Sequence, residues 1–156
     1  MIECVSKFQH KYRIIIRSHN IESQKIVLNN LLKINNAFNI ELVDTRSSTF
    51  ERIVNISDVF INFWVSTTFY EECMSKSDIF VFDDSDLTNE TKGIINNRAF
   101  WFDDLQDCTK SITKYLEDGL FYQKCDDETF LQKYMDWDKK DQIPKHSLNI
   151  IEDIAR

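Results

Sequence analysis

Glycine and proline are almost missing from this chain, with two of the first and one of the second in 156 residues. A fold of many tight turns, or a flexible linker, draws heavily on both, so neither describes the bulk of the sequence. Positive charge is also in short supply. Nineteen Lys and Arg face 26 Asp and Glu, a net charge of −7, which sets the surface as a whole against nucleic acid and anionic membranes. The cysteines Cys4, Cys73, Cys108 and Cys125 are widely spaced, with no C-x-x-C and no histidine at zinc-site spacing. They read as small buried or half-exposed thiols in a reducing compartment, with no protein-bound metal. No apolar run approaches a membrane span, and the first residues lack the apolar core of a signal peptide, so the expected location is cytoplasmic. Neither G-x-G-x-x-G nor G-x-x-x-x-G-K-[ST] occurs, which removes the dinucleotide fingerprint and P-loop chemistry.

What is present is ordinary for one soluble domain: 42% hydrophobic and 29% charged residues. Short apolar runs rich in β-branched and aromatic residues predict strands near residues 12–17, 38–43, 58–63, 79–82 and 99–102. Helical spacing fills the gaps. Ile26, Val27, Leu31, Leu32 and Ile34 recur along Ile21 to Asn35, and Ser47-Ser48 opens a helix to about Asn55 with Phe50, Ile53, Val54 and Ile56 inward. Asp103-Asp104 starts another to about Asp118, closed by Gly119. Asp126-Asp127-Glu128 precedes one over Thr129 to Trp137. Met1 to Gln9 has no period and reads as a lead-in, and polar Ser85 to Asn97 reads as a long surface loop.

This alternation predicts a Rossmann-like three-layer α/β domain over residues 1–136. Its parallel sheet has five to six strands in the order 3-2-1-4-5, with helices on both faces. Residues 137–156 form a charged connector broken by Pro144 and a C-terminal helix. Leu148, Ile151 and Ile154 make one apolar stripe on it, suited to docking a further domain, a partner chain or a second copy.

The centre of the chain is Ser57 to Asp84: a strand over Asp58 to Phe63, the hydroxyl-rich turn Ser66-Thr67-Thr68, a short helix with Glu71 and Glu72, and a strand over Ile79 to Phe82. A turn at the carboxyl end of a parallel strand is where open α/β sheets bind ligands, and hydroxyls and amides there suit phosphate. Arg17 and His19 stand past the first strand at the same kind of edge; an arginine offers paired planar donors to phosphate and a histidine adds one more. Each has a plainer reading. Ser66 to Thr68 cap helices everywhere, Arg17 and His19 suit solvent, and Glu71, like Glu72 beside it, reads as a solvated helix glutamate. Asp83, Asp84 and Asp86 suggest Mg²⁺, but read better as a solvated loop.

The segment SDVFINFWVSTTFYEECMSKSDIFVFD resembles the donor-binding segment in the C-terminal half of GT-B glycosyltransferases, especially those making bacterial surface polysaccharides. Ser66, Thr67, Thr68 and Glu71 match the family pattern, while Lys76-Ser77-Asp78 stands where Gly-Lys-Pro is usual. RIIIRSHN is similar to the family's strand followed by Arg-x-His-Pro, with Asn20 in place of the proline. The resemblance implies a Rossmann-like domain that binds a nucleotide-sugar, with Arg17 and His19 near the donor phosphates and Glu71 at the ribose. It implies no cofactor, catalytic residues elsewhere, and an acceptor site on an N-terminal domain or partner chain. A nucleotide-sugar 2-epimerase and a non-catalytic Rossmann-like or flavodoxin-like module stay open as alternatives.

Overall fold

The strand Asp78–Phe82 is buried at every residue, and the rest of the fold is layered on its two faces. Its sequence, DIFVF, is apolar at four consecutive positions, as a strand covered on both sides requires. The computed structural model describes residues 1–17, 21–33, 39–43 and 50–120. In chain order the elements are α1 (Ile2–Ser6), β1 (Ile14–Arg17), α2 (Ile21–Leu32), β2 (Ile40–Val43), α3 (Phe50–Val54), β3 (Val59–Phe63), α4 (Thr67–Cys73), β4 (Asp78–Phe82), α5 (Asn89–Arg98), β5 (Phe100–Phe102) and α6 (Leu105–Asp118).

All five strands lie within the stretches predicted for them or one residue beyond, and every pairing is parallel. The single sheet is not observed. β1 pairs with β2, while β3, β4 and β5 form a separate sheet in that order. The expected order 3-2-1-4-5 is therefore wrong, because it would put β3 beside β2, and β3 pairs instead with β4 in a register that matches Phe60 to Ile79 and Phe63 to Phe82. Strand periodicity says which runs are strands and is silent on which edges meet.

Alternation along the central sheet sends its apolar side chains to two cores. On one face Phe60, Ile79 and Val81 pack with Ile53, Phe69, Cys73, Ile95 and Ala99, drawn from α3, α4 and α5 and the residue after α5. On the other, Phe80 and Phe82 pack with Cys108, Ile112, Tyr115 and Leu116 of α6, and Val5 and Phe8 close in from the amino terminus. The three-layer arrangement thus holds around β3–β4–β5. An aromatic column reinforces the second core: Phe80 stacks on Phe100 at 4.8 Å and meets Tyr115 edge-on at 5.1 Å.

Three local expectations are corrected. The stretch read as a surface loop, Ser85 to Asn97, contains most of α5, whose amino end is capped by the Thr88 hydroxyl accepting from the Thr91 amide; too few of its residues are apolar to show a helical stripe. Met1 to Gln9 is not a lead-in, since α1 packs Ser6 inside. In α2, the supposed inward residues Ile26 and Leu32 are 63% and 75% exposed, so the apolar face of this helix is not covered as its period implied. Asp104 and Gly119 bracket α6 as expected, the glycine at φ 66°. Cys73 and Cys108 are buried and Cys4 partly so. The connector, Cys125 and the helices expected after Gly119 lie outside the described residues.

Among the described residues no helix is long and apolar enough to cross a membrane.

Candidate functional site

The carboxyl edge of the central sheet is built by what happens after Phe63. The chain must leave the sheet and enter α4 within three residues, and it does so through Trp64 at φ 66°, a left-handed conformation that a bulky side chain adopts only under compulsion. Three hydrogen bonds supply it. The Trp64 amide donates to the Phe82 carbonyl at 2.8 Å, the indole Nε1 donates to Asp84 Oδ1 at 3.0 Å, and the Val65 amide donates to Asp83 Oδ2 at 3.1 Å. Asp83 also accepts from the Ser85 amide at 2.9 Å and from its hydroxyl. One carboxylate therefore ties the β3–α4 turn to the loop after β4.

Asp83 is 2% exposed, which corrects its reading as part of a solvated loop; Asp84 and Asp86 are exposed as expected. Burial alone would push the Asp83 carboxyl up, but the Ser85 and Val65 donors outweigh it and hold the group below the usual carboxylate range. Its lone pairs are spent on the turn. Among the described residues no group of three or more His, Cys, Asp or Glu is placed to hold a metal ion.

The hydroxyl turn lies directly on this scaffold. Ser66 takes the N-cap position of α4, at φ −132°, yet its side chain makes no capping bond. Its hydroxyl instead pairs with that of Thr68 at 2.6 Å. Ser66 and Thr67 are exposed, Thr68 is half-buried, and Glu71 points its exposed side chain out from the same helix. Arg17, the last residue of β1, stays exposed and lays its guanidinium over the Phe50 ring at 4.7 Å; Phe50 in turn meets Phe60 of β3 at 6.3 Å. Arg17 is thereby drawn toward α4, close enough for its charge to act on Glu72. His19 lies outside the described residues.

Glu72, dismissed at the sequence level as a neighbour as ordinary as Glu71, is the carboxylate that the fold buries. It is 2% exposed and accepts a hydrogen bond from the Asn62 amide. Desolvation pushes its pKa up to about 7; the Asn62 bond opposes this, the Glu71 charge adds to it, and Arg17 and Arg98 oppose it from farther away. Asn62 was the available signal. A lone amide inside the apolar run Val59-Phe60-Ile61-Asn62-Phe63 must find a polar partner on burial, and α4 supplies one.

The turn after α4, where Lys76-Ser77-Asp78 stands in place of the Gly-Lys-Pro of the glycosyltransferase pattern, is held by side chains. The Ser75 hydroxyl donates to the Glu72 carbonyl at 2.6 Å, and Ser77 Oγ donates to the Ser57 carbonyl at 2.5 Å. Arg98, 1% exposed, donates Nη2 to the Ser75 and Ser77 carbonyls at 2.8 and 3.0 Å, and Nε to the Cys73 carbonyl at 3.4 Å. A cation is well placed at a helix carboxyl end, where the last carbonyls lack partners. A cleft of about 270 Å³ borders this turn, lined by Val54 to Asp58 and Ser75 to Ser77. It sits at the amino edge of β3 and β4, away from Ser66 and Arg17.

Comparison with family models, with curated proteins and with solved structures gave no match.

Proposed function

We propose that this chain is the nucleotide-sugar-binding half of a GT-B glycosyltransferase. The observation that supports the reading is that Arg17 ends β1 and the Ser66–Thr68 turn with Glu71 follows β3, each at the carboxyl end of a parallel strand, and that Arg17, laid on Phe50, is near enough to α4 for its charge to reach Glu72. An exposed guanidinium and exposed hydroxyls at strand ends are chemistry for a diphosphate, and a helix glutamate one turn on from the hydroxyls is chemistry for ribose. The chain's own part is donor binding. Arg17, with His19, stabilises the departing diphosphate, while the acceptor and its base come from another domain or chain.

The test is an amide NMR titration with the diphosphates of uridine, cytidine and guanosine. Shifts are expected at Arg17 and over residues 65–71, and Arg17→Ala or Glu71→Ala should weaken binding roughly tenfold or more, the worth of one charge-assisted hydrogen bond. Absence of any shift at millimolar nucleotide, or shifts scattered away from both segments, overturns the reading. A binding module without transfer chemistry is the second reading. It is favoured by the use of the Val65 amide by Asp83, which removes one donor from the phosphate side of the turn.

A further inference from the structure

Trp64 is held in a strained backbone conformation by bonds to the end of β4 and the loop after it, and yet its side chain is 55% exposed. Glycine or asparagine would take φ 66° without the steric penalty, and a half-exposed ring returns little burial for it. The indole is oriented as well as held. Its Nε1–H donates to Asp84 at 3.0 Å, and the Phe63 ring meets it edge-to-face at 6.4 Å. Phe63 is itself 43% exposed and is braced edge-to-face by Phe82 at 6.0 Å. Two half-exposed aromatic rings thus stand oriented at the carboxyl edge of the sheet, with the exposed carboxylate of Asp84 bonded to the indole edge.

We propose that Trp64 is a stacking platform for a neutral sugar ring, with Asp84 accepting hydrogen bonds from its hydroxyls. An oriented indole face matches the apolar C–H face of a pyranose, and the Asp84 carboxylate beside it accepts from hydroxyl groups while repelling a phosphate or a uronate. A cation gains little over a single exposed ring. The platform adjoins the Ser66–Thr68 turn but requires no nucleotide, so it stands apart from the donor-binding reading.

The chain has three tryptophans, Trp64, Trp101 and Trp137, so the Trp64 indole N–H resonance is identified by its loss in Trp64→Phe. Methyl glycosides of glucose, galactose, mannose and N-acetylglucosamine are then titrated against the full chain. At least one should shift that resonance saturably and leave the other indoles still. Trp64→Gly, which relieves the backbone, should keep its melting temperature while losing that affinity tenfold or more, and Asp84→Asn should weaken it. The proposal is overturned if no glycoside moves the Trp64 signal, if Trp64→Gly binds as the parent does, or if Trp64→Gly melts well below the parent, which would make the ring a packing element. Tetramethylammonium moving the signal at lower concentration than any glycoside overturns it in favour of a cation site. Glycoside binding without nucleotide binding leaves the platform standing and removes the transferase; the reverse removes the platform alone.

Discussion

Glu72 shows how one buried carboxyl controls stability. Its pKa is raised by desolvation to about 7 in the fold from an ordinary 4.5 in the unfolded chain, so between those values the folded state holds the proton more often than the unfolded one. The stabilisation from the neutral form is complete below about pH 4.5, falls as pH rises through 7, and is gone above it. At about 1.4 kcal/mol per pKa unit the loss is roughly 3 kcal/mol. Glu72→Gln keeps the shape and an amide for Asn62 without a charge to bury. Urea unfolding at pH 8 should find it about 2–3 kcal/mol more stable than the parent, and the fall between pH 5 and 7 should shrink. If the parent shows no such fall, or the variant is less stable at pH 8, the charge is compensated in another way.

At the scale of elements, the α4–β4 connection depends on Arg98 reaching across from α5. Three carbonyls lean on one guanidinium, which a lysine, with a compact point charge, cannot span with the same geometry. Arg98→Ala should cost about 3 kcal/mol, since it leaves buried carbonyls without donors as well as a void. Arg98→Lys should recover less than half of that. Denaturant midpoints measure both, and a Lys variant equal to the parent would show that charge alone suffices. The same fork explains why a turn without glycine is tolerated here: Ser75 and Ser77 fold back on the Glu72 and Ser57 carbonyls, with no left-handed residue needed.

For the whole molecule, the two sheets differ in how well they are covered. Every residue of β4 is buried, whereas neither β1 nor β2 has a fully buried residue, and α2 leaves Ile26, Leu28 and Leu32 exposed. Opening free energy follows buried apolar contact, so hydrogen exchange should be slowest in β4 and its neighbours β3 and β5, and faster by orders of magnitude in β1 and β2. Equal protection in both sheets would mean that they unfold as one unit. The Arg17 contact on Phe50 is then part of what binds the smaller sheet to the larger.

The sequence by itself determined the strands and the best-marked helix, and missed α1 and α5. Five strands were legible as apolar runs, and α6 from its acidic start and Gly119, because period and capping are local properties of the chain. The hydroxyl turn and Arg17 were legible too, as residue types at strand ends. Only the tertiary structure decided that β3 lies against β4 in a sheet apart from β1 and β2, since edge pairing depends on contacts far apart in sequence. It also chose between twins. Glu71 and Glu72 are identical side chains one residue apart, and the roughly 100° step of a helix sends one to water and the other under the sheet to Asn62. Asp83 and Asp84 alternate across the end of β4 in the same way, one spent inside the turn and the other left outside beside Trp64.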